Sequence, residues 1–325
     1  MFALWKRYRH LAAAAPLMLA TIATAAAQAP YPNRNITLVL PFAAGSGTDT
    51  TTRLIGKELG TALGVSTVIE NKAGANGSIA ASFVARAPAD GYTLFVTTNT
   101  THSANPYLLK TMSYDPIKDF TPIARTGDLP FMLVIHPDIP VNSVAELIAL
   151  AKKEPGKYSY ASGSSSASVS GATFARLAGI DLLHVPYKSS PPALTDVIAG
   201  RVSMMFIDVP TGLPHVNGKA LKALAVTTKK PSALLPDLPT MDNTVKGFDI
   251  TSWQGYLGPA NMPKDIVVKL NAEIRKIIER PDIKNQLAER GMEAFSGSPE
   301  EFDAFLKEQL VLWEKLIADA GIEKQ

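Results

Sequence analysis

The sequence predicts an α/β protein with two lobes, each a mainly parallel sheet flanked by helices, and a ligand cleft between the lobes. Three observations lead to this prediction. Short β-rich runs alternate with helical patterns along most of the chain, which is typical of parallel sheets built from βαβ units. Turns rich in glycine and serine follow several of the predicted strands. Three amphipathic helices end the chain, and they need a sheet to cover.

The beginning of the chain predicts export. Three basic residues among the first nine precede an apolar stretch without acidic residues, Leu11 to Ala27, and small residues fit a cleavage site before Gln28. The stretch is shorter than the roughly 20 residues that a membrane span needs. We therefore expect a signal peptide over 1–27 and a mature protein in the periplasm.

Composition excludes several classes of function. Removing the three basic residues of the leader from the 32 in the chain leaves 29 basic residues against 29 acidic ones. A neutral mature chain without a basic cluster predicts no nucleic-acid partner. The sequence has no cysteine, which excludes disulfides and thiolate chemistry. No H-E-x-x-H or other metal-ligand spacing occurs, so we expect no metal and no cofactor.

The first set of elements follows the leader. Its strands are predicted at 36–42, 66–71 and 93–99, with helices at 49–64 and 76–87 between them. Both helices carry apolar residues at helical spacing, which predicts one face packed on a sheet.

A second set of elements begins near residue 131. Strands are predicted at 131–136, 158–162, 182–187 and 202–208, an apolar run follows at 221–228, and helices are predicted at 143–154, 166–179 and 191–200. The final helices are predicted at 263–280, 281–291 and 298–321, each with a proline at or near its start.

The final helices decide the predicted lobe boundaries. The final helices need a sheet to cover, and the first set has only three predicted strands. We therefore expect the chain to return to the first set and complete its sheet. Lobe 1 is then 28–128 together with 227–325, and lobe 2 is 129–226. Two crossings, near 125–130 and 224–229, join the lobes in the manner of a hinged binding protein.

The turn between the first strand and the first helix reads PFAAGSGTD (41–49). Gly45 and Gly47 let the backbone turn tightly, and unpaired helix amides add about half a positive charge, so the turn suits a carboxylate or a phosphate. It is not a P-loop, because no Gly-Lys-Ser/Thr follows. Asp49 is interpreted as a cap or first-turn residue of the helix, as a ligand contact, or as both, with Arg53 as its ion-pair partner.

A second turn of the same design follows the strand at 158–162. After Gly163 it offers a cluster of hydroxyls, Ser164, Ser165, Ser166 and Ser168, for helix capping and for hydrogen bonds to a guest. A flexible linker is the alternative, but the flanking strand and helix patterns argue against it. Two helix N-termini that face one cleft suit a guest with an acidic group at each end.

Three further strand ends are expected at the same edge. Candidate ligand contacts there are Thr98, Asn99 and Thr100 after the third strand and Asp208 at the end of the strand at 202–208. Asn76, after the second strand, is a further candidate and is expected to cap the helix at 76–87. Turn or cap chemistry is the alternative interpretation of each. No G-x-S-x-G occurs and the histidines stand alone, so we expect no enzyme.

Several blocks of the sequence, among them NKAGANGSIAA, ADGYTLFVTT and YASGSSSASVSGATFARLAGIDLLHVPYK, resemble the Bug/TctC family of periplasmic receptors of tripartite tricarboxylate transporters. The resemblance runs from Tyr31 to Gly321. It implies a type II periplasmic binding fold that closes on a mono-, di- or tricarboxylate and delivers it to membrane permease subunits. We expect such a receptor to act as a monomer.

The resemblance also implies a set of ligand contacts. By residue, the implied set is Phe42, Ala43, Ala44, Gly45, Ser46, Thr48 and Asp49 in the first turn, with Thr98 to Thr100, Ser164 to Ser168 and Asp208. The sequence departs from the family pattern PFPPGGxxD at Ala43, Ala44 and Ser46, and from VPYKG at Ser189. The alternatives are an amino-acid or amide receptor, a sensor co-receptor, and a periplasmic hydrolase that uses a serine of the 164–168 cluster.

Overall fold

The structure is a computed structural model and describes residues 30–324. The predicted signal peptide over 1–27 lies outside the described residues. The strands are, in chain order, β1 Ile36–Leu40, β2 Thr67–Asn71, β3 Thr93–Thr98, β4 Phe120–Leu129, β5 Phe131–Ile135, β6 Ser159–Ser162, β7 Leu183–Pro186, β8 Met204–Asp208, β9 Lys222–Val226, β10 Ser252–Pro259 and β11 Glu293–Ala294. The α-helices are α1 Gly47–Leu63, α2 Ser78–Ala85, α3 Asn105–Leu108, α4 Val144–Lys153, α5 Ser165–Ala178, α6 Ser190–Ile198, α7 Val209–Asn217, α8 Met241–Thr244, α9 Lys264–Glu279, α10 Pro281–Glu289 and α11 Pro299–Asp319.

The strands form two sheets. The first has the order β11-β4-β10-β3-β1-β2 and the second has the order β7-β6-β8-β5-β9. Neighbours β1–β2, β1–β3, β6–β7 and β6–β8 are parallel. In the first sheet β4 and β10 each run antiparallel to both of their neighbours, and in the second sheet β5 does so. The predicted α/β class with two sheets flanked by helices is confirmed. The prediction that each sheet is mainly parallel is wrong: both are mixed, because the chain crosses between the sheets at β4–β5 and returns at β10, which adds antiparallel strands to each.

The chain passes between the sheets twice. Only Pro130 separates β4 in the first sheet from β5 in the second. The return runs between β9 and β10, and its residues Met241 and Phe248 pack in the same core cluster as Phe206 of the second sheet. The polypeptide therefore stays with the second sheet well beyond residue 227. Which residues move together as a lobe remains a prediction.

Helix α11 packs against the cores of both sheets. Phe302 near its start belongs to a core cluster with Trp253 of the first sheet, whereas Trp313 belongs to the cluster that contains Phe206. The two indoles also share a partner, since each Nε1–H donates to Gln309 Oε1 at 3.2 Å. Within residues 30–324, no helix combines the length and apolarity needed to cross a membrane.

Candidate functional site

A small cavity lies where strand ends of the two sheets meet. It is lined by Phe42, Ser46, Thr48, Thr98, Thr100, Leu129, Phe131, Ser164, Ser166, Ser190, Asp208 and Ser252. The volume of this cavity is about 20 Å³. Hydroxyls dominate the lining, and Asp208 is its one ionisable residue among those that the structure describes. No cationic side chain of the described chain lines the cavity.

The first turn presents the N-terminus of α1 to this cavity. Ser46 is the N-cap, and its Oγ accepts a hydrogen bond from the amide of Asp49 at 3.3 Å. The amides of Gly47 and Thr48 have no hydrogen-bond partner within residues 30–324. Two free N–H groups thus lie at the positive end of a 17-residue helix, as an anion site requires.

Asp49 holds the first turn in place from behind the cavity wall. Its carboxylate accepts hydrogen bonds from Arg53 Nε (2.9 Å) and Nη2 (3.0 Å), Asn71 Nδ2 (3.0 Å) and the amide of Gly45 (3.0 Å). The predicted first-turn position and the predicted ion pair with Arg53 are confirmed. Asp49 is not among the residues that line the cavity, so its role as a ligand contact remains a prediction.

The network around Asp49 predicts a pH-dependent contribution to stability. Burial acts to raise the pKa of Asp49, but hydrogen bonds from Arg53, Gly45 and Asn71 together outweigh it and hold the pKa below its usual value. A carboxyl whose folded pKa is depressed stabilises the protein above its unfolded pKa, near 4, and loses that contribution as the pH falls through the folded pKa. We expect Asp49→Asn to lower the free energy of unfolding by about 1–3 kcal/mol at neutral pH.

Urea denaturation at several pH values measures this effect. The difference between wild type and Asp49→Asn should shrink as the pH falls below about 4. Asp90→Asn is the matched control, because Asp90 pairs with Arg34 at an exposed site and such pairs contribute about 0–1 kcal/mol. An equal loss in both variants would contradict the prediction.

The serine-rich turn presents the N-terminus of α5. Ser164 is its N-cap and accepts from the amide of Ala167 at 3.2 Å, while the amides of Ser165 and Ser166 have no partner in the described chain. The hydroxyl of Ser166 is buried without a hydrogen bond. Helix capping by this cluster is confirmed, and the linker alternative is wrong.

The turn after β3 contributes one orphan hydroxyl. Thr98 Oγ1 accepts from the amide of Thr100 at 3.3 Å, and Thr100 Oγ1 is buried without a partner. Asn99 does not line the cavity. Its side chain instead bonds to the carbonyl of Thr251 and to the hydroxyl of Ser252, which anchors the turn to β10.

Asp208 is the N-cap of α7. Its Oδ1 accepts from the amide of Thr211 at 3.0 Å and from Thr211 Oγ1 at 2.6 Å. The side chain reaches the backbone of α1 across the cavity, since a Cβ placed on Gly47 would lie 2.0 Å from Asp208 Oδ1. Asp208 belongs to the second sheet and Gly47 begins a helix that packs on the first. The two halves of the molecule, each built on one sheet, therefore both contribute to the cavity.

Several predicted site residues lie elsewhere. Ala44 and Gly45 are exposed, and the amide of Ala43 donates to Ser189 Oγ at 3.1 Å. The predicted cap at Asn76 is wrong: Gly77 is the N-cap of α2, because Asn76 has a left-handed backbone (φ 49°) and no side-chain cap bond forms.

The remaining serines of the cluster face a neighbouring cavity. A second small cavity is lined by Asn76, Leu108, Ser162, Ser164, Ser165, Ser168, His184, Pro186, Tyr187 and Ile322. Ser165 also donates to Asn105 Oδ1 at 3.1 Å. Among residues 30–324, Ser164 alone lines both cavities.

Four lining residues, Leu129, Phe131, Ser190 and Ser252, were not predicted. Ser190 had a usable signal, because it follows a predicted strand and precedes Pro191 at a helix start. Leu129 and Phe131 flank the crossing at Pro130, and nothing local in their sequence indicates a site.

Comparison with known proteins identifies the family. A family model described as tripartite tricarboxylate transporter family receptor, TctC, matches residues 51–322. This chain belongs to the TctC family. The predicted Bug/TctC resemblance is therefore confirmed, and with it the solute-binding class of receptor.

This TctC receptor is similar to solved structures over nearly all of its length. Rpa4515 of R. palustris with adipate is 36% identical, with a TM-score of 0.89, over 91% of this chain and 100% of that chain. The periplasmic binding protein BugD is 34% identical, with a TM-score of 0.86, over 91% and 100%. MatC of Rhodopseudomonas palustris with bound malate is 30% identical, with a TM-score of 0.83, over 88% and 100%.

Proposed function

We propose that this TctC receptor is a periplasmic protein that captures a small organic acid between its two halves and delivers it to membrane permease subunits. It acts as a monomer and catalyses no reaction. One observation carries the proposal. Thr100 Oγ1 and Ser166 Oγ, from opposite sides of one cavity, are buried to 1% exposure and have no hydrogen-bond partner in the described chain.

Unpaired buried hydroxyls need a partner. Leaving a buried polar group unsatisfied costs about 1–3 kcal/mol, so such groups are rare in folded proteins. Here they accompany the free amides of Gly47 and Thr48 on α1 and of Ser165 and Ser166 on α5. A carboxylate accepts hydrogen bonds from all of these donors, and helix N-termini hold anions without a cationic side chain. The adipate and malate of the structural relatives support an acid as the guest.

The proposed direct contacts are the predicted residues that line the cavity: Phe42, Ser46, Thr48, Thr98, Thr100, Ser164, Ser166 and Asp208. The other predicted residues act indirectly. Asp49 and Asn99 fix the turns, and Ala43 bonds across the cleft to Ser189.

Capture requires the halves to open. A cavity of about 20 Å³ holds little more than one water molecule, so a guest enters only when the cavity walls separate. We propose that the moving parts are the predicted lobes, 28–128 with 227–325 and 129–226, with one change: the stretch from 227 to 250 moves with the second sheet, because Met241 and Phe248 pack in its core. The hinges then lie at Pro130 and just before β10. A guest that bonds to both halves selects the closed state.

Paired substitutions of the orphan hydroxyls test the proposed function. We expect Thr100→Val and Ser166→Ala each to weaken binding of the preferred acid by about 10- to 100-fold, because a hydrogen bond to a charged group contributes about 1.5–3 kcal/mol. The free proteins should keep or gain stability, since each variant removes an unsatisfied group. Isothermal titration with malate, adipate and aromatic acids measures affinity, and thermal unfolding measures stability.

Ser103→Ala is the matched control. Ser103 Oγ is also buried without a partner, but Ser103 does not line the cavity. It should therefore reproduce the stability effect without a change in affinity. Wild-type affinity in the Thr100 and Ser166 variants, or no saturable binding of any acid, would refute the proposed function. Uptake of the acid in a deletion strain separates transport from a sensor role.

The alternatives have less support from the described residues. An amino-acid receptor would use an arginine clamp, and no arginine of residues 30–324 lines the cavity. A serine hydrolase of the 164–168 cluster would need a base beside the serine, whereas His184 Nε2 bonds to Ser162 Oγ, outside the cluster.

A further inference from the structure

Asp208 places a second negative group where the guest acid would bind. The residue is 8% exposed and lines the cavity. A Cβ on Gly47 would be 2.0 Å from its Oδ1, so that oxygen lies within about 3.5 Å of the Gly47 Cα. A carboxylate that accepts from the free amides of Gly47 and Thr48 therefore lies beside the carboxyl of Asp208. Two carboxylates at such a distance do not both stay ionised without a neutralising partner.

Helix α1 supplies no neutralising charge to Asp208. Its Arg53 is bonded to Asp49, which leaves that pair neutral. Lys57 lies one further turn along the helix, away from its N-terminus. Glu58 accepts a hydrogen bond from Arg280. Strand β5 and the turn before α1 contain no titratable residue.

The other elements around the cavity also leave Asp208 without a cation. Their titratable and charged groups are His215 of α7, Asp196 of α6 with Lys188 shortly before that helix, Arg176 of α5, His102 after β3, Arg125 and Asp128 of β4, and Arg290 and Glu293 near Gly291, which packs on Val209. Arg125 is paired with Asp128. Asp196 is bonded to Arg201, and Arg290 donates to the carbonyl of Gln286. Within residues 30–324, no ion pair to Asp208 forms.

Burial reinforces this geometry. It raises the pKa of Asp208 above that of an ordinary aspartate, although the hydrogen bonds from Thr211 oppose the shift. Burial therefore makes the ionised form of Asp208 less favourable than that of an exposed aspartate, and an adjacent anion makes it less favourable still.

We propose that the receptor binds its acid together with one proton, which is shared between Asp208 and the guest carboxyl. The proton comes from a buffer acid in the solvent, which is left as its conjugate base. It forms an O–H bond with one of the two carboxylates, and that O–H donates a hydrogen bond to the other. Asp208 thereby selects acids that can place a carboxyl against α1 and hold a proton there. This inference rests on the proposed function.

Proton uptake can be measured directly. Malate and adipate are titrated into the mature protein at about pH 7, in two buffers with different ionisation enthalpies. We expect uptake approaching one proton per bound acid. The Kd should rise with pH, by up to tenfold per unit between about pH 6 and about pH 8, because the complex binds more protons than its separated parts.

Asp208→Asn is the decisive variant, because asparagine also caps helices and keeps the contacts of Thr211 possible. We expect its uptake to vanish and its Kd to become independent of pH. Asp138→Asn, at an acid with 92% exposure in the same half, should keep the wild-type slope. Binding without proton uptake in wild type, or an unchanged slope in Asp208→Asn, would overturn the inference alone. Failure of every acid to bind would overturn the proposed function and this inference with it.

Discussion

Gly47→Ala is expected to weaken acid binding by more than about 100-fold, equivalent to about 2.7 kcal/mol, in a protein that still folds. The added methyl group would lie 2.0 Å from Asp208 Oδ1 and 3.1 Å from Pro210 Cβ, both on the opposite half. Relief requires the halves to separate or Asp208 to move, and either change removes the closed site. Within α1 itself, alanine is the better helix former, by up to about 1 kcal/mol.

Titration calorimetry measures the effect on acid binding, and urea denaturation measures the effect on stability. Gly56→Ala is the matched control in the same helix, because its methyl group would meet Leu38 Cδ1 of the first sheet at 2.9 Å. That variant should change stability by about 1–3 kcal/mol through overpacking and leave affinity unchanged. Wild-type affinity in Gly47→Ala would show that the contact with Asp208 is not required for capture.

Alternation of strands and helices in the sequence predicted most elements correctly, because each has a local signature. Helix α1, for example, has an N-cap at Ser46 and ends at Gly64 in a left-handed conformation. Strand β4 was missed because Pro122, Gly127 and Asp128 are typical of turns. Its pairing with β10, with register shifts along the ladder, overrides that preference.

The site was predictable to the level of strand ends, but not to the level of side chains. A strand end followed by a helix N-terminus is a local pattern, so the turns before α1 and α5 were found. Whether a side chain faces the cavity depends on tertiary partners. Asn71 of β2 donates a hydrogen bond to Asp49, which therefore does not line the cavity. Asn99 donates to the carbonyl of Thr251, so its side chain lies beside β10 instead of in the cavity.

Two departures from the family pattern meet in the structure. Ala43 stands where the pattern has proline, which has no N–H, and Ser189 stands where it has glycine, which has no hydroxyl. In this chain the amide of Ala43 donates to Ser189 Oγ across the cleft. Each departure alone was visible in the sequence, but their contact joins positions 146 residues apart and required the fold.

Trp313→Ala is expected to lower the free energy of unfolding by about 3–5 kcal/mol, a large part of the stability of an ordinary domain. Trp313 is 1% exposed and belongs to the core cluster of the second sheet, although its helix begins against the first. Its removal opens a cavity and also takes one of the two donors from Gln309. The measurement is urea denaturation, followed by circular dichroism.

Val311→Ala is the control on the same helix, since Val311 is 68% exposed and its truncation should change stability by no more than about 0.5 kcal/mol. Trp253→Phe, in the first sheet, removes the other indole donor to Gln309 while keeping an aromatic core residue. A loss in Trp313→Ala no greater than that in Val311→Ala would show that the second half of α11 does not hold the second sheet. A large loss would mean that α11 ties both sheets together, so that hinge opening must bend or slide around this helix.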